Sequence, residues 1–304
     1  MENELKINNS KTVLITGAGS GMGLATAKIL IKNGFKVWAG IRDPESRNIK
    51  KSNILRDYAK RLNKEVQIVD LDIHFEQSCE NAMSHIISKD KKIDILIHNA
   101  AHLFIGFAEQ FTPEQYASSL NKNFLGVHRL NRAAIPHMRN ERNGLILYVG
   151  SGITAITAPF MAPYVIGKTA MDQLAENTSY EINRFGIESS ILMPGVFMEG
   201  TSHFDTAEFP KDKSLDESYL ELKADFDNYE KGLRNLFRQE DAPIEGVAEK
   251  ILEIIQLPKG TRPLRPTIDY SDYGAEAVNA VREAMTKRVF DIMEYSHLQK
   301  VCTI

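Results

Sequence analysis

Residues 11–23 read KTVLITGAGSGMG, and this stretch decides the fold. Thr12–Thr16 is a short apolar run of the kind found in strands that are buried on both faces of a parallel sheet. It ends in a glycine-rich turn, and a helical pattern of apolar residues starts at Leu24. A strand, a glycine turn and a helix in direct succession predict a place where backbone N–H groups and a helix dipole meet a phosphate group.

The rest of the N-terminal two thirds repeats the alternation of strand and helix. Segments long enough for crossover helices separate five further short apolar runs, at 35–40, 66–69, 93–97, 145–149 and 190–193. This order predicts an α/β protein with a doubly wound (Rossmann) parallel sheet and helices on both faces. Ligands of such sheets bind beyond the carboxyl ends of the strands, where the strand order reverses.

Length and charge narrow the class of protein. The chain of 304 residues has a net charge of -3 and only two cysteines, Cys79 and Cys302. We expect a single domain over 1–304, a small-molecule ligand, and no nucleic-acid or membrane partner. The cysteines and eight histidines show no ligand spacing, so no metal is expected. Residues 1–11 lack the apolar core of a signal peptide, which favours a cytoplasmic location.

The alternation ends after Gly195. Apolar residues recur with helical spacing from Leu215 to Phe237, and this apolar stripe predicts one face of a long helix. This helix either packs on the core at the surface or belongs to a lid, at about 202–243, that covers the ligand cleft. A C-terminal extension at about 262–304 follows. Its strand near 264–268 contains prolines and is therefore expected at a sheet edge, and its final helix is expected to cover the core or a subunit interface.

A tyrosine and a lysine indicate chemistry. Tyr164 and Lys168 are four residues apart in a helical pattern, which places both side chains on one face. An ammonium group beside a phenol is expected to lower the phenol pKa towards the range useful for general acid-base catalysis. Ser151 follows the fifth strand, where its hydroxyl could hold a substrate oxygen. The alternative explanations are that Tyr164 and Lys168 have this spacing by chance and that Ser151 is an ordinary serine in a turn.

Taken in order along the chain, these motifs resemble the short-chain dehydrogenase/reductase family, in its shorter single-domain branch and nearest to steroid- and retinoid-type members. The resemblance covers about 11–201 and includes Asp72, His98-Asn99-Ala100-Ala101, Asn123 and Pro194-Gly195. It implies an NAD(P)(H)-dependent oxidoreductase that interconverts a ketone or aldehyde and an alcohol. Ala101 departs from the family's usual glycine, and His98 is expected to be a buried strand residue.

The resemblance also implies roles for individual residues. The catalytic set is Asn123, Ser151, Tyr164 and Lys168, with Asn123 holding a water that connects Lys168 to solvent. Asp72 is expected to bond the adenine, although it could simply cap the next helix. The cofactor-binding set comprises Gly17, Gly19, Ser20, Gly21, Met22, Gly23, Arg42, Asp72, Asn99, Ala100, Tyr164, Lys168, Pro194, Gly195, Val196 and Thr201.

The end of the second strand bears on the choice of cofactor. It reads Gly40-Ile41-Arg42-Asp43, and Ile41 cannot accept hydrogen bonds from a ribose 2′-hydroxyl as an acidic residue would. Arg42 could instead pair with a 2′-phosphate. We therefore expect NADP(H) to be preferred. Asp43 keeps NAD(H) possible, and the alternative explanation for Arg42 is a solvated charge in a loop.

Apolar residues beside the catalytic motifs favour a hydrophobic carbonyl substrate. The residues expected to contact it are Ser151, Ile153, Tyr164, Phe197 and Met198, although the apolar ones could be ordinary core residues. The alternative function is a non-catalytic NADP(H)-binding sensor or scaffold on the same fold. The helices near 113–138 and 162–184 resemble those that pair subunits of the family, which implies a homodimer or homotetramer.

Overall fold

The computed structural model describes residues 11–237, 242–271 and 273–303. Residues 1–10, from which we expected a cytoplasmic location, lie outside this range, as do residues 238–241 of the predicted lid and residues 272 and 304 of the C-terminal extension. No helix in the described part of the chain is long and apolar enough to cross a membrane.

Strands and helices alternate as the sequence predicts. In chain order the elements are β1 Thr12–Thr16, α1 Gly21–Lys32, β2 Lys36–Ile41, α2 Ile49–Arg61, β3 Gln67–Asp70, α3 Glu76–Asp90, β4 Ile95–His98, α4 Pro113–Leu120, α5 Gly126–Asn140, β5 Gly144–Val149, α6 Ala162–Ile182, β6 Ile187–Pro194, α7 Lys223–Asp227, α8 Tyr229–Arg234, α9 Glu245–Gln256, β7 Thr267–Ile268 and α10 Ala275–Ile292.

Within the described residues the strands form one sheet in the order β3-β2-β1-β4-β5-β6-β7. Every neighbouring pair is parallel, and in the centre Val13 of β1 is aligned with Val37 of β2 and with Ile95 of β4. The order reverses between β1 and β4, which creates the crevice expected at a topological switch point. The predicted doubly wound fold is therefore confirmed.

The apolar strands have two buried faces because helices cover the sheet on both sides. One core cluster includes Val13 and Ile15 of β1 together with Ile251 of α9, and a second includes Leu14 and Met171 of α6. Alternate residues of β1 thus enter opposite layers, as the two-residue period of a strand requires. A third apolar cluster, which contains Tyr164 and Tyr229, lies away from these two layers and forms part of the cleft described below.

The prediction of one long helix between Leu215 and Phe237 is wrong. The segment folds as a 3-10 turn at Asp216–Leu222 followed by the short helices α7 and α8. The apolar stripe divides because its members pack on different neighbours: Tyr219 stacks on Phe107 with ring centroids 4.2 Å apart, whereas Leu233 lines the cleft. Tyr229 and Leu233 of this segment line the cleft, and its helical geometry is broken rather than continuous. The lid at about 202–243 stays a prediction.

The C-terminal extension is attached to α6. Arg265 donates to Asp172 at 2.8 Å and to Glu176 at 2.9 Å, and Arg282 of α10 bonds the same two carboxylates. β7 is a two-residue edge strand, as the nearby prolines predict. The apolar residues of α10 do not cover the core, since Val278, Val281, Met285, Val289 and Ile292 are all exposed, Val281 at 65% and Ile292 at 72%.

Candidate active site

The glycine turn between β1 and α1 has a backbone that side chains would obstruct. Gly17 and Gly21 have φ angles of +66° and +51°, a region that L-residues rarely occupy. A Cβ at Gly23 would lie 2.4 Å from the Asn99 amide nitrogen and 2.5 Å from the Gly17 carbonyl oxygen. Gly23 thus allows the first turn of α1 to approach β1 and β4 closely, and the helix N-terminus points its N–H groups at the turn.

Asn99 joins the two central strands. Its backbone N–H donates to Thr16 Oγ1 at 2.9 Å, and its side-chain amide donates to the Thr16 carbonyl at 3.0 Å. The Ala100 N–H bonds the same hydroxyl at 2.9 Å. These bonds hold the ends of β1 and β4 together, directly beneath the glycine turn. His98 is buried one residue earlier and bonds Asn131 at 2.8 Å, as expected of a strand residue.

Ser151, Tyr164 and Lys168 face one cleft with a volume of about 600 Å³. β5 ends at Val149, so Ser151 stands at the carboxyl edge of the sheet, where its Oγ accepts from the Ile153 N–H at 3.3 Å. Tyr164 and Lys168 lie one turn apart on α6 and are both buried. Lys168 Nζ donates to the Val149 carbonyl oxygen at 2.8 Å, which fixes the lysine against the same strand end.

The pKa of Tyr164 is not lowered here, contrary to the sequence-based expectation. Burial raises the pKa of the phenol above its usual value, and a hydrogen bond with Ser151 only partly opposes this. The Lys168 ammonium is 6.0 Å from the tyrosine ring centroid and is directed to a carbonyl oxygen. Burial also lowers the pKa of Lys168 to about 8, which still leaves the ammonium as the main form at neutral pH. Tyr164 is therefore a neutral proton donor in this structure.

Asn123 lies behind the cleft rather than on its lining. It occupies a π-helical turn, Asn121–Leu125, between α4 and α5. Its Oδ1 accepts from the His102 N–H at 2.8 Å, and its Nδ2 donates to the His102 carbonyl at 3.0 Å and to Ser119 Oγ at 3.2 Å. Single π-helical turns between α-helices are frequent at functional sites. Asn123 holds the backbone after β4 in place and packs against Gly167 of α6.

Positive side chains surround one end of the cleft. Arg42, Arg47 and Lys51 all line it, and Lys51 lies close enough to the glycine turn that a Cβ at Gly19 would meet its side chain at 3.1 Å. Asp43 is not among the lining residues. Its backbone donates to Asp70 at 3.1 Å, and its φ of 45° marks a tight turn. The sequence reasoning identified Arg42 but missed Arg47 and Lys51.

Asp72 lines the cleft and also has a local structural role. Its Oδ1 accepts from the His74 N–H at 3.0 Å and lies 3.0 Å from the His74 ring nitrogen, Nδ1. Asp72 therefore orders the turn before α3 but does not cap that helix, whose N-cap residue is Phe75. It lines the cleft, and its contact with the adenine stays a prediction.

The loop after β6 completes the other side. Pro194, Gly195, Val196 and Thr201 line the cleft, and a Cβ at Gly21 would lie 3.3 Å from Thr201 Oγ1. Thr201 therefore approaches the glycine turn from above. A Cβ at Gly195 would clash with Asp269 at 1.8 Å, which explains a glycine at the point where the strand turns into the loop.

Three predicted site residues do not line the cleft, namely Gly23, Asn123 and Met198. Gly23 is covered by Asn99, and Asn123 is buried beneath His102. Met198 packs against the third apolar cluster instead of projecting into the cleft. Phe197 does line it, although its ring also packs on Tyr270 with centroids 5.7 Å apart.

Other lining residues come from parts of the chain that carry no motif. Tyr229 and Leu233 belong to the apolar stripe, so helical spacing singled them out without showing what they contact. His203 and Tyr273 had no signal at all, because each reaches the cleft from an irregular loop. The remaining lining residues that the sequence did not identify include Phe204 and Thr206.

Comparisons with known proteins agree with this arrangement. The chain matches the short chain dehydrogenase family over residues 11–208. It is 32% identical over 188 residues to a 3-ketodihydrosphingosine reductase of Bacteroides thetaiotaomicron, which covers 62% of this chain and 64% of that protein. It is 28% identical over 255 residues to human 17-beta-hydroxysteroid dehydrogenase type 1, which covers 82% of this chain and 75% of that protein.

A solved structure extends the likeness beyond the matched range. A short-chain dehydrogenase from Streptomyces avermitilis is 22% identical, superposes with a TM-score of 0.72 and covers 95% of this chain and 97% of that chain. At this identity the likeness concerns the fold. The family match spans well over half of the sequence and contains the glycine turn, Ser151, Tyr164 and Lys168. The chain therefore belongs to the short chain dehydrogenase family.

Proposed function

We propose that this protein is an NAD(P)(H)-dependent oxidoreductase that interconverts a ketone or aldehyde and an alcohol, with Tyr164 as its general acid and base. The observation that carries the proposal is the convergence of Ser151, Tyr164 and Lys168 on one cleft that begins at the glycine turn. Carbonyl reduction needs one hydride and one proton. Tyr164 can give the proton, and the cleft beside it, which begins at the glycine turn, can hold a dinucleotide that gives the hydride.

The residues present fit a nicotinamide dinucleotide. The glycine turn leaves a cradle that a Cβ would fill or strain at Gly17, Gly21 and Gly23, next to a helix N-terminus. Asp72 and Asn99 would flank the adenosine, whereas Pro194, Val196 and Thr201 would hold the nicotinamide end. When bound, this cofactor supplies or accepts the hydride.

The protein residues manage the substrate oxygen and its proton. Ser151 donates a hydrogen bond to the carbonyl oxygen, and Tyr164 delivers its proton to the same oxygen. Because burial keeps Tyr164 protonated, it is ready to act as the acid in the reductive direction. The tyrosinate that remains is stabilised by the Lys168 ammonium, which would also bond a ribose hydroxyl of the cofactor.

NADP(H) is the preferred cofactor in this proposal. The supporting observation is the set of cations at the adenosine end, Arg42, Arg47 and Lys51, with no acidic residue at the end of β2 facing the cleft. Cations pair with a 2′-phosphate, whereas an acidic side chain would pair with the 2′-hydroxyl of NAD(H). NAD(H) remains the alternative cofactor.

A hydrophobic carbonyl compound is the proposed substrate. The reaction end of the cleft is lined by apolar and aromatic side chains, including Ile153, Met161, Phe204 and Leu233. Among the similar proteins are enzymes whose names refer to a ketodihydrosphingosine and a hydroxysteroid. Both names fit a cleft that places a large apolar body beside a carbonyl-reducing site.

Assembly into a homodimer or homotetramer, and a cytoplasmic location, belong to the same proposal. Leu125, just before α5, and Ile166 of α6 are exposed apolar residues on the two helical regions that resemble subunit-pairing helices. Burying such side chains against a second subunit would remove them from water. Sedimentation of the purified protein would test the assembly, since a monomer at all concentrations would contradict it.

Replacing Tyr164 with phenylalanine tests the function directly. We expect Tyr164→Phe to lower kcat by about two to four orders of magnitude, because the loss of a general acid has effects of that size. Binding of NADPH, followed by cofactor fluorescence, should stay unchanged, since the ring and its packing remain. The assay is NADPH oxidation with a panel of hydrophobic ketones and aldehydes.

Two outcomes would contradict the proposal. Wild-type turnover by Tyr164→Phe would remove the tyrosine from the mechanism. Tight NADPH binding without turnover of any carbonyl by the wild-type protein would favour the non-catalytic sensor. Tyr58→Phe is a matched control, because Tyr58 lies on α2 and its ring contacts Lys28 rather than the cleft.

A further inference from the structure

His203 lies in the loop after β6 and contacts the proposed proton donor. The centroids of the His203 and Tyr164 rings are 5.4 Å apart, and the rings meet edge to face at 67°. The His203 backbone N–H donates to Thr201 Oγ1 at 3.2 Å, which ties the loop at this point. The side chain lines the cleft together with Ser151 and Lys168.

Among the described residues, His203 differs from the other cleft histidines in having no carboxylate beside its ring. His74 lies 3.0 Å from Asp72, and His102 lies 3.8 Å from Glu208. Within 11–237, 242–271 and 273–303, no polar group bonds the ring nitrogens of His203, whose recorded side-chain contacts are with the aromatic rings of Tyr164 and Phe204. The imidazole is only partly buried and lines the cleft, so its ring nitrogens are open to hydrogen bonds with a bound ligand.

The imidazole is neutral at physiological pH. Burial lowers the pKa of His203 to about 3, and the positive charge of Lys168 and the nearby His102 act in the same direction. A neutral imidazole offers one N–H donor and one acceptor nitrogen. This pair matches an uncharged hydroxyl, which can both accept and donate, better than it matches a carboxylate or an ammonium.

Position determines which part of a substrate His203 can reach. The ring lies against Tyr164, so a group that it bonds must be only a few covalent bonds away from the carbonyl that Tyr164 protonates. The cleft also contains apolar residues such as Met161 and Leu233, which suit a hydrocarbon body. A substrate that satisfies both has a polar group close to its carbonyl and an apolar remainder.

We propose that His203 is a specificity-determining residue that selects carbonyl substrates with a hydroxyl group beside the reacting carbon and an apolar tail. This inference rests on the proposed carbonyl reductase function and specifies its substrate class. His203 recognises the neighbouring hydroxyl through its ring nitrogens, while Ser151 and Tyr164 bind the carbonyl oxygen. A plain apolar ketone leaves the imidazole unpaired and is a poorer substrate.

Matched ketones test the proposal. The rate of NADPH oxidation is measured with 1-hydroxydecan-2-one and with decan-2-one, for the wild type, His203→Phe and His203→Gln. We expect the wild type to prefer the hydroxyketone by about tenfold or more in kcat/KM, the size of one good hydrogen bond. His203→Phe keeps a ring against Tyr164 but should lose this preference, mainly through KM. His203→Gln, which retains a donor and an acceptor, should keep part of it.

Controls separate this inference from the function beneath it. His128→Phe, an exposed position on α5, should keep the wild-type preference. An equal loss on both ketones in His203→Phe, or no change on either, would overturn the role of His203 while leaving carbonyl reduction intact. If the wild type reduces neither ketone, the proposed function fails. Calorimetry with decane-1,2-diol then decides the inference, because equal affinity of the wild type and His203→Phe would refute it.

Discussion

The two ends of the cleft are built differently. At the cofactor end, the glycine turn and Asn99 lie at the ends of β1 and β4, which are neighbours in the sheet, and hydrogen bonds between backbone and side-chain groups of Thr16 and Asn99 hold their geometry. At the reaction end, His203, Tyr229 and Tyr273 come from irregular loops and a short helix after β6, and they meet through side-chain packing. The first end is therefore a property of the fold, whereas the second is a property of this particular chain.

The two ends of the cleft should tolerate amino-acid substitutions differently. Backbone donors of the glycine turn do not depend on which side chains follow β6, so cofactor binding should survive substitutions at the reaction end. Arg42, Arg47 and Lys51 are exposed residues on the rim of the cleft and do not support the core. Under the proposed function they would add selectivity for NADP(H). Substitutions at the two ends should thus affect cofactor choice and substrate handling separately.

The largest effect in this comparison is expected from the cations of the cofactor end. The double substitution Arg42→Ala with Lys51→Ala should weaken NADPH binding by roughly 10–100-fold, since charge-assisted hydrogen bonds contribute about 1.5–3 kcal/mol. NADH affinity should change little, because NADH lacks the 2′-phosphate. Fluorescence titration with both cofactors provides the measurement. An equal loss for NADPH and NADH would show that these residues support the turn rather than read the phosphate.

The pH dependence of reduction is expected to be the next largest effect. Burial lowers the pKa of Lys168 to about 8, so the ammonium is present below that pH and is lost as the pH rises through it. Reductive kcat at saturating NADPH should then fall by about tenfold for each unit above pH 8, since the tyrosinate loses its stabilising charge. Lys168→Arg keeps its charge throughout. A profile that is flat to pH 10 in the wild type would contradict this role.

The smallest effect separates lining from packing at the reaction end. Leu233 lines the cleft, whereas Met198 lies behind it against the same apolar cluster. Leu233→Ala should raise KM for a hydrophobic ketone by several-fold, because contact with the substrate is lost. Met198→Ala should leave KM nearly unchanged and lower the melting temperature instead. The reverse pattern would show that Met198 is the substrate contact and Leu233 a packing residue.

Much of the cofactor end could be predicted from sequence. Thr12–Thr16 and the glycines after it specify a strand and a turn through local preferences, and Tyr164 and Lys168 share a face because they are one helical turn apart. Arg47 and Lys51 were missed because charged residues in an exposed turn or on a surface helix have no signal that distinguishes a ligand contact from a solvated side chain. Their position on the cleft becomes visible only when α2 and the turn before it are placed beside the glycine turn.

The reaction end could not be predicted in the same way. The stripe from Leu215 to Phe237 has helical spacing, but its members pack on separate neighbours, so the chain breaks into short pieces. The expected lowering of the Tyr164 pKa also failed, since sequence spacing shows that a lysine is near but not that the phenol is buried. Desolvation depends on everything that surrounds a group, including residues far away in the chain.

The sequence by itself determined the doubly wound sheet, the glycine turn, and the placement of Ser151, Tyr164 and Lys168 at one edge. Those features follow from local backbone preferences and from the rule that parallel strands end together. The tertiary structure decided which side chains enclose the reacting group, how far the tyrosine is desolvated, and that His203 faces Tyr164. These depend on the paths of long loops and on packing between distant segments, which no short stretch of sequence encodes.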